Sequence, residues 1–170
     1  MASNPKDTAI ARQLLRDNQA NHILVLAQGL HGLVGDLIET RMPHLTKTTR
    51  EKLFSGYGPS ASFAIRIDIA HAMGLITSNL KRDLHGIRDV RNKFAHPGLD
   101  THFDDDAVQE AFSKFEGYRK GKDQPFGFYV ERSGRCLRAL ISSLQPTAKP
   151  STLAALLMEA GEKASQKKSS

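Results

Sequence analysis

The segment Arg91-Asn92-Lys93-Phe94-Ala95-His96 holds the residues best suited to chemistry in this chain of 170 residues. A histidine moves protons near neutral pH and an arginine holds charge on phosphate oxygens, so the pair suits a phosphodiester. Five residues of continuous helix turn through about 500°, which would leave Arg91 and His96 about 140° apart. Pro97 disfavours α geometry at His96 and frees it from the last turn, so the imidazole can swing back toward Arg91. Asn92 would orient either partner. A structural reading of the same residues stays open: Arg91 pairs with an acid, and His96 caps the last helical carbonyls.

Four further patterns carry weaker chemistry. Ala70, Gly74 and Leu80 fall at the offsets of a helix-turn-helix, with Ser78, Asn79, Lys81, Arg82 and His85 turned to DNA. Asp83 stands where that motif needs an apolar residue to seat its second helix. Gly56-Tyr57-Gly58-Pro59-Ser60 precedes a helix and could present amides to an anion, but it has neither the lysine nor the spacing of a P-loop, and a tight turn explains it. Asp100, His102 and Asp104 alternate like metal ligands; without a second cluster, helix capping accounts for them and no metal or other cofactor is expected. Cys136, the only cysteine, excludes an internal disulfide and a multi-cysteine zinc site, and is expected in the core.

The elements that must position these residues are helical. Period-2 strand patterns are missing, while apolar residues recur at helical spacing. A short helix is expected from Ala9 to Leu15 and a second from about Ala20 to Met42, with Ile23, Leu24, Ala27, Leu30, Val34, Leu37 and Ile38 as its stripe and Pro43 as its stop. After a loop from Leu53 to Pro59, Ser60 or Ser62 can cap a third helix that Gly74 closes. Thr77 or Ser78 opens a fourth, carrying Leu80, Leu84, Ile87, Val90 and Phe94, that ends near His96. Asp104, Asp105 and Asp106 favour the start of a fifth, through Val108, Ala111, Phe112 and Phe115. A sixth is expected from about Phe128 to Leu144. The expected fold is all-α: a compact single-domain bundle of five to six helices over residues 1–145. Residues 146–170 are expected as a short helix, Leu153 to Ala160, hinged at Pro146 and Pro150, with a flexible basic tail.

Composition agrees with a soluble, cytoplasmic, bacterial-style protein: 39% of residues are hydrophobic, and neither a membrane span nor a secretory leader is visible. The net charge of +6 is unevenly spread. Arg41, Lys47, Arg50 and Lys52 outweigh Glu51, residues 81–93 and 114–138 are basic, and residues 100–110 hold acids without a base. A basic body can meet RNA, DNA or an acidic protein, and Lys81, Arg82, Arg88 and Lys93 are the candidate nucleic-acid contacts. The same charges also suit solvated helix faces.

Leu53-Phe54-Ser55-Gly56-Tyr57-Gly58-Pro59, Ser62-Phe63, Ile65-Arg66-Ile67 and Ala70-His71-Ala72-Met73-Gly74-Leu75-Ile76 together resemble the mannitol operon repressor family. Leu80, Asp83-Leu84, Ile87-Arg88 and Arg91 to His96 continue the likeness in order, over about residues 53–106. It implies an all-helical protein without a conventional DNA-binding motif, linked to repression of polyol-uptake operons through protein partners. The Arg91…His96 segment also resembles the Arg-x4-His signature of HEPN domains, helical and often dimeric proteins, many of them metal-independent ribonucleases. That likeness implies that Arg91, Asn92 and His96 of two protomers would line one cleft.

Three functions therefore compete: a non-enzymatic regulator, a HEPN-type ribonuclease, and an inactive helical scaffold. The regulator accounts for the longest likeness and is the expected function, with a protein partner and a possible homodimer. Phe54, Tyr57, Pro59 and Phe63 would form its partner-facing or core-closing loop, and Arg91 with His96 its most consequential polar pair.

Overall fold

The structure is a computed structural model that describes residues 5–95 and 101–144, with side chains from Gln13 onward. Six helices make up the described chain: α1 (Pro5–Glu39), α2 (Lys47–Phe54), α3 (Phe63–Ala72), α4 (Ser78–Phe94), α5 (Asp106–Ser113) and α6 (Pro125–Ser143). No strand occurs among the described residues, and no described helix is long and apolar enough to cross a membrane. The all-α bundle is as expected. The short helix at Leu153 to Ala160 and the tail lie outside the described residues.

Local chemistry explains the starts and stops. The side chains of Thr46, Ser62 and Thr77 accept from the amides three residues on and cap α2, α3 and α4. Gly74 takes φ +70° after α3, where the missing Cβ removes the left-handed penalty. Pro125 opens α6, where its missing N–H costs nothing, so the helix begins three residues before the expected Phe128.

Two expectations need correction. The separate helices at Ala9 to Leu15 and Ala20 to Met42 are one, because Arg16-Asp17-Asn18-Gln19 is polar but contains no glycine or proline to break it. This helix ends at Glu39 rather than Met42; tight turns from Arg41 to Ile38 and from Met42 to Glu39 close it before Pro43. Helix α2 stands where hydropathy gives no signal, since only Leu53 and Phe54 are apolar in Lys47–Phe54. Its cap at Thr46 and the Arg50–Glu39 ion pair of 2.8 Å hold it to the end of α1.

Helix α4 is the centre of the bundle. It packs against α1, α3, α5 and α6, while α1 also packs against α3 and α6. Leu84, Ile87 and Val90 of α4 meet Ile23, Leu30, Leu33, Val34, Leu37 and Ile38 of α1 in one continuous core. Each fully buried Leu or Ile contributes about 1.5–3 kcal/mol before chain entropy is counted. Val108, Ala111, Phe112 and Phe115 are buried as their spacing implied. Gly86 gives Phe115 its place: a Cβ there would stand 2.7 Å from the ring. Tyr129 is fully buried and its hydroxyl donates to the Ile23 carbonyl at 3.2 Å, fixing α6 on α1; burial pushes its phenol up. Cys136 is in the core as expected, its thiol pushed up to about 12 by burial and so unreactive.

Candidate functional site

Helices α1, α3 and α4 enclose a cleft of about 430 Å³ lined by polar residues Gln28, His31, Ser62, Arg88, Arg91 and Asn92. The apolar pattern of α4 explains the arrangement. Its stripe turns Leu84, Ile87 and Val90 inward, and residues one position away, Arg88 and Arg91, fall at the edge of the buried face. Arg91 is half-buried and donates through Nη1 to the Asn92 Oδ1 at 3.1 Å. Among the described residues it forms no ion pair. Asn92 is therefore the hydrogen-bond partner of Arg91 on the cleft wall. His96 lies outside the described residues, so the geometry of the Arg91…His96 pair does too.

His31 takes part in the cleft instead. It reaches the cleft from α1 and stacks on Phe63 with ring centroids 5.2 Å apart. Burial, the charge of Arg66 and, more weakly, that of Arg91 lower its pKa to about 4, against an opposing hydrogen bond with the Ala61 backbone. The imidazole is thus neutral at pH 7. Its Nε2 is buried without a hydrogen-bond partner among the described residues.

Arg66 of α3 ties the cleft's edges together. Its Nε donates to the Ser60 carbonyl at 2.7 Å, Nη2 to Phe54 at 2.8 Å and Nη1 to His31 at 3.3 Å. Its guanidinium also lies 5.3 Å from the Phe54 ring centroid. One side chain so joins α1, the end of α2 and the loop before α3. Burial lowers its pKa, yet it stays charged. Sequence reading singled out neither His31 nor Arg66 as a site residue. A signal for His31 existed: Ala27, His31 and Gly35 recur every four residues and so share a face of α1. None existed for Arg66, whose acceptors lie as far as 35 residues away.

The expected loop residues divide. Phe54 is buried and Phe63 packs against the core, whereas Tyr57 and Pro59 are exposed. Gly58 holds the turn between them, because a Cβ there would stand 2.4 Å from the Lys52 carbonyl oxygen. The tight-turn reading of this glycine-rich segment fits that geometry.

The candidate nucleic-acid contacts on α4 are largely occupied by acids. Lys81 pairs with Asp68 at 2.8 Å, holding that carboxyl below the ordinary range. Arg82 pairs with Glu116. Arg88 donates through Nε to Asp89 at 3.0 Å, and Lys114 reaches the other oxygen at 3.1 Å; burial opposes these bonds, but they hold the Asp89 carboxyl low. Lys93 is exposed and has no ion pair among the described residues. Asp83, the residue that spoils the helix-turn-helix pattern, meets Arg132 of α6 at 3.1 Å, both side chains mostly covered. Helix α4 is therefore packed on several sides, not presented to a groove.

Asp105 precedes α5 as expected, but it gives no side-chain cap. Its carboxylate instead accepts from the His102 amide at 2.8 Å, bracing the preceding turn. Among the described residues, no group of three or more His, Cys, Asp or Glu is placed to hold a metal; Asp100 lies outside them. No family model, no curated protein and no solved structure matches the chain.

Proposed function

We propose that this chain is a non-enzymatic regulatory protein of the mannitol-operon-repressor type, acting on transcription through a protein partner. The observation that carries this reading is the state of α4. Its Lys81, Arg82 and Arg88 are engaged by Asp68, Glu116 and Asp89, and its apolar face is spent on the bundle core. DNA affinity rests on basic side chains that release counterions from phosphates, and paired cations release few. Tyr57 and Pro59, by contrast, project from a loop that Arg66 pins on both sides. An exposed aromatic on a rigid loop is the kind of anchor that protein interfaces use.

The test compares transcripts in cells lacking the chain and in cells restored with the native protein or Tyr57→Ala. Under this reading a limited set of operons is derepressed, the native chain restores repression, and Tyr57→Ala fails although it folds. Unchanged transcripts, or tight binding of the purified chain alone to an affected promoter, would overturn it.

A second reading has its own observation. The Arg91–Asn92 hydrogen bond on the cleft wall suits a HEPN-type ribonuclease, in which the polar residue after the arginine assists it. Under that reading, single-stranded RNA is cut in the presence of chelator, and Arg91→Ala and His96→Ala abolish cutting without unfolding. Intact RNA in every lane removes the ribonuclease and leaves the regulator standing.

A further inference from the structure

We propose that the cleft between α1, α3 and α4 binds the phosphate group of a small soluble monoester with a compact apolar body. This goes beyond the regulatory reading and does not depend on it. The first support is charge. Arg88 and Arg91 line the cleft, and among the described residues no carboxylate does. Arg88 commits Nε and Nη2 to Asp89 and Nη1 to His85, so it adds charge to the cleft rather than open donors; Arg91, which bonds only Asn92 and is opposed by no acid among the described residues, supplies the donors.

The second support is the direction of the donors. The N-terminal turn of α3, from Ser62 to Ala64, forms one wall. The Phe63 and Ala64 amides precede the first bond of the helix, which runs from the Arg66 amide to the Ser62 carbonyl, and the Ser62 side chain serves only the Ile65 amide. The Arg91 guanidinium lines the cleft from α4, and the Gln28 amide and His31 Nε2, which becomes a donor once the imidazole is protonated, belong to α1. Donors converging from three helices match the three terminal oxygens of a tetrahedral phosphate better than a planar carboxylate.

The third support fixes the rest of the ligand. A second depression of about 440 Å³ shares Gln28 and Arg91 with the cleft and is otherwise lined by Leu24, Val25 and Ala95. Both volumes fall in the range of small-molecule sites, about 300–1,000 Å³. A nucleic-acid strand would need the basic residues to continue along α4. Lys81 and Arg82 lie about two turns before Arg88 and are already paired.

Binding would also draw a proton onto His31. Among the described residues, the charged groups around His31 are Arg66 of α3 and Arg88 and Arg91 of α4, all cationic. A dianion set among them offsets their repulsion and favours the imidazolium.

The experiment is calorimetric titration of the full chain at pH 6 in two buffers of different ionisation enthalpy. The probes are phenyl phosphate, inorganic phosphate, malonate and a single-stranded RNA 12-mer, with sodium chloride matching ionic strength. Phenyl phosphate should bind saturably and more tightly than inorganic phosphate, and His31→Gln should shift the proton balance of binding toward release, the ligand's own second ionisation being common to both proteins. Arg91→Gln should weaken it by about tenfold or more, the usual worth of a charged hydrogen bond. Arg82→Gln, with the same loss of charge at the far end of α4, should leave it unchanged. Because Arg91 bonds only its neighbour Asn92 among the described residues, its variant should fold; the exposed Val25→Ser supplies a second check and should erase the advantage of the phenyl group. Equal binding of malonate, tighter Arg91-dependent binding of RNA, equal weakening by Arg82→Gln, or no heat beyond the chloride control would each overturn the proposal.

Discussion

The guanidinium of Arg66 fills the space that a side chain at Gly35 would need, for a Cβ there would stand 2.6 Å from Nη1. Helix α1 thus gives up a side chain so that a cation from α3 can reach the His31 carbonyl. The same cation holds the Phe54 and Ser60 carbonyls, which would otherwise be poorly satisfied once covered. It acts as a clamp rather than half of an ion pair.

Removing that clamp should be costly. Arg66→Ala leaves the Phe54 and Ser60 carbonyls without this donor and removes the longer bond to His31, and a loss of about 2–4 kcal/mol is expected. Arg66→Lys should recover only part of it, since an ammonium cannot span the same acceptors as a planar fork. Urea denaturation reads the loss. Chymotrypsin cleavage after Tyr57 should quicken in Arg66→Ala well below the unfolding midpoint if the loop is released locally.

Asp83 and Arg132 should be strongly coupled. Arg132 bonds both Asp83 oxygens, at 3.2 and 3.1 Å, donates to the Glu116 carbonyl and lies 5.0 Å from the Phe128 ring centroid. A double-mutant cycle of Asp83→Ala and Arg132→Ala should give a coupling energy of about 1–3 kcal/mol. Asp83→Leu should lower stability by leaving the guanidinium unpaired and should create no affinity for DNA, because burial of α4 is set by its other face. A gain of DNA binding in that variant would contradict the architecture.

The pH dependence of stability should carry the mark of His31. Its folded pKa of about 4 lies below the unfolded value near 6.5, so the unfolded chain binds the proton more readily. Its contribution is fully present above pH 6.5 and is lost as pH falls toward 4. Solvent screens this half-buried ring, so the effect between pH 7 and 5 should be a fall of only about 2–4 °C in Tm beyond that of His31→Gln. Parallel melting curves for the two proteins over that range would sink the assignment.

Legibility in the sequence followed range. Thr77, the Leu84-Ile87-Val90 stripe and Gly74 announce α4 and the turn before it, because caps, helical periodicity and positive φ act within a few residues. The Asp83 objection to a DNA-binding helix was legible for the same reason, although its partner Arg132, 49 residues on, was not. Helix α2 was hidden because Thr46 and the Arg50–Glu39 pair hold it, with little apolar pattern of its own. At the cleft, Arg91 and Asn92 stood out by residue type. His31 and Arg66 did not: their environment exists only once α1 and α3 meet.

Helix α1 runs for 35 residues, yet among its described side chains none before Ile23 is buried, and Leu14 and Leu15 are well exposed. Residues 5–22 would measure about 27 Å along the axis, by the usual rise per residue. One helix then lives in two mechanical regimes: built in like a beam from Ile23 onward, and more lightly held before it, where His22 meets the Phe126 ring edge-on at 6.2 Å. Its amides should exchange with solvent on a steep gradient, slow near Leu33 and progressively faster toward Pro5, although one helix spans them all.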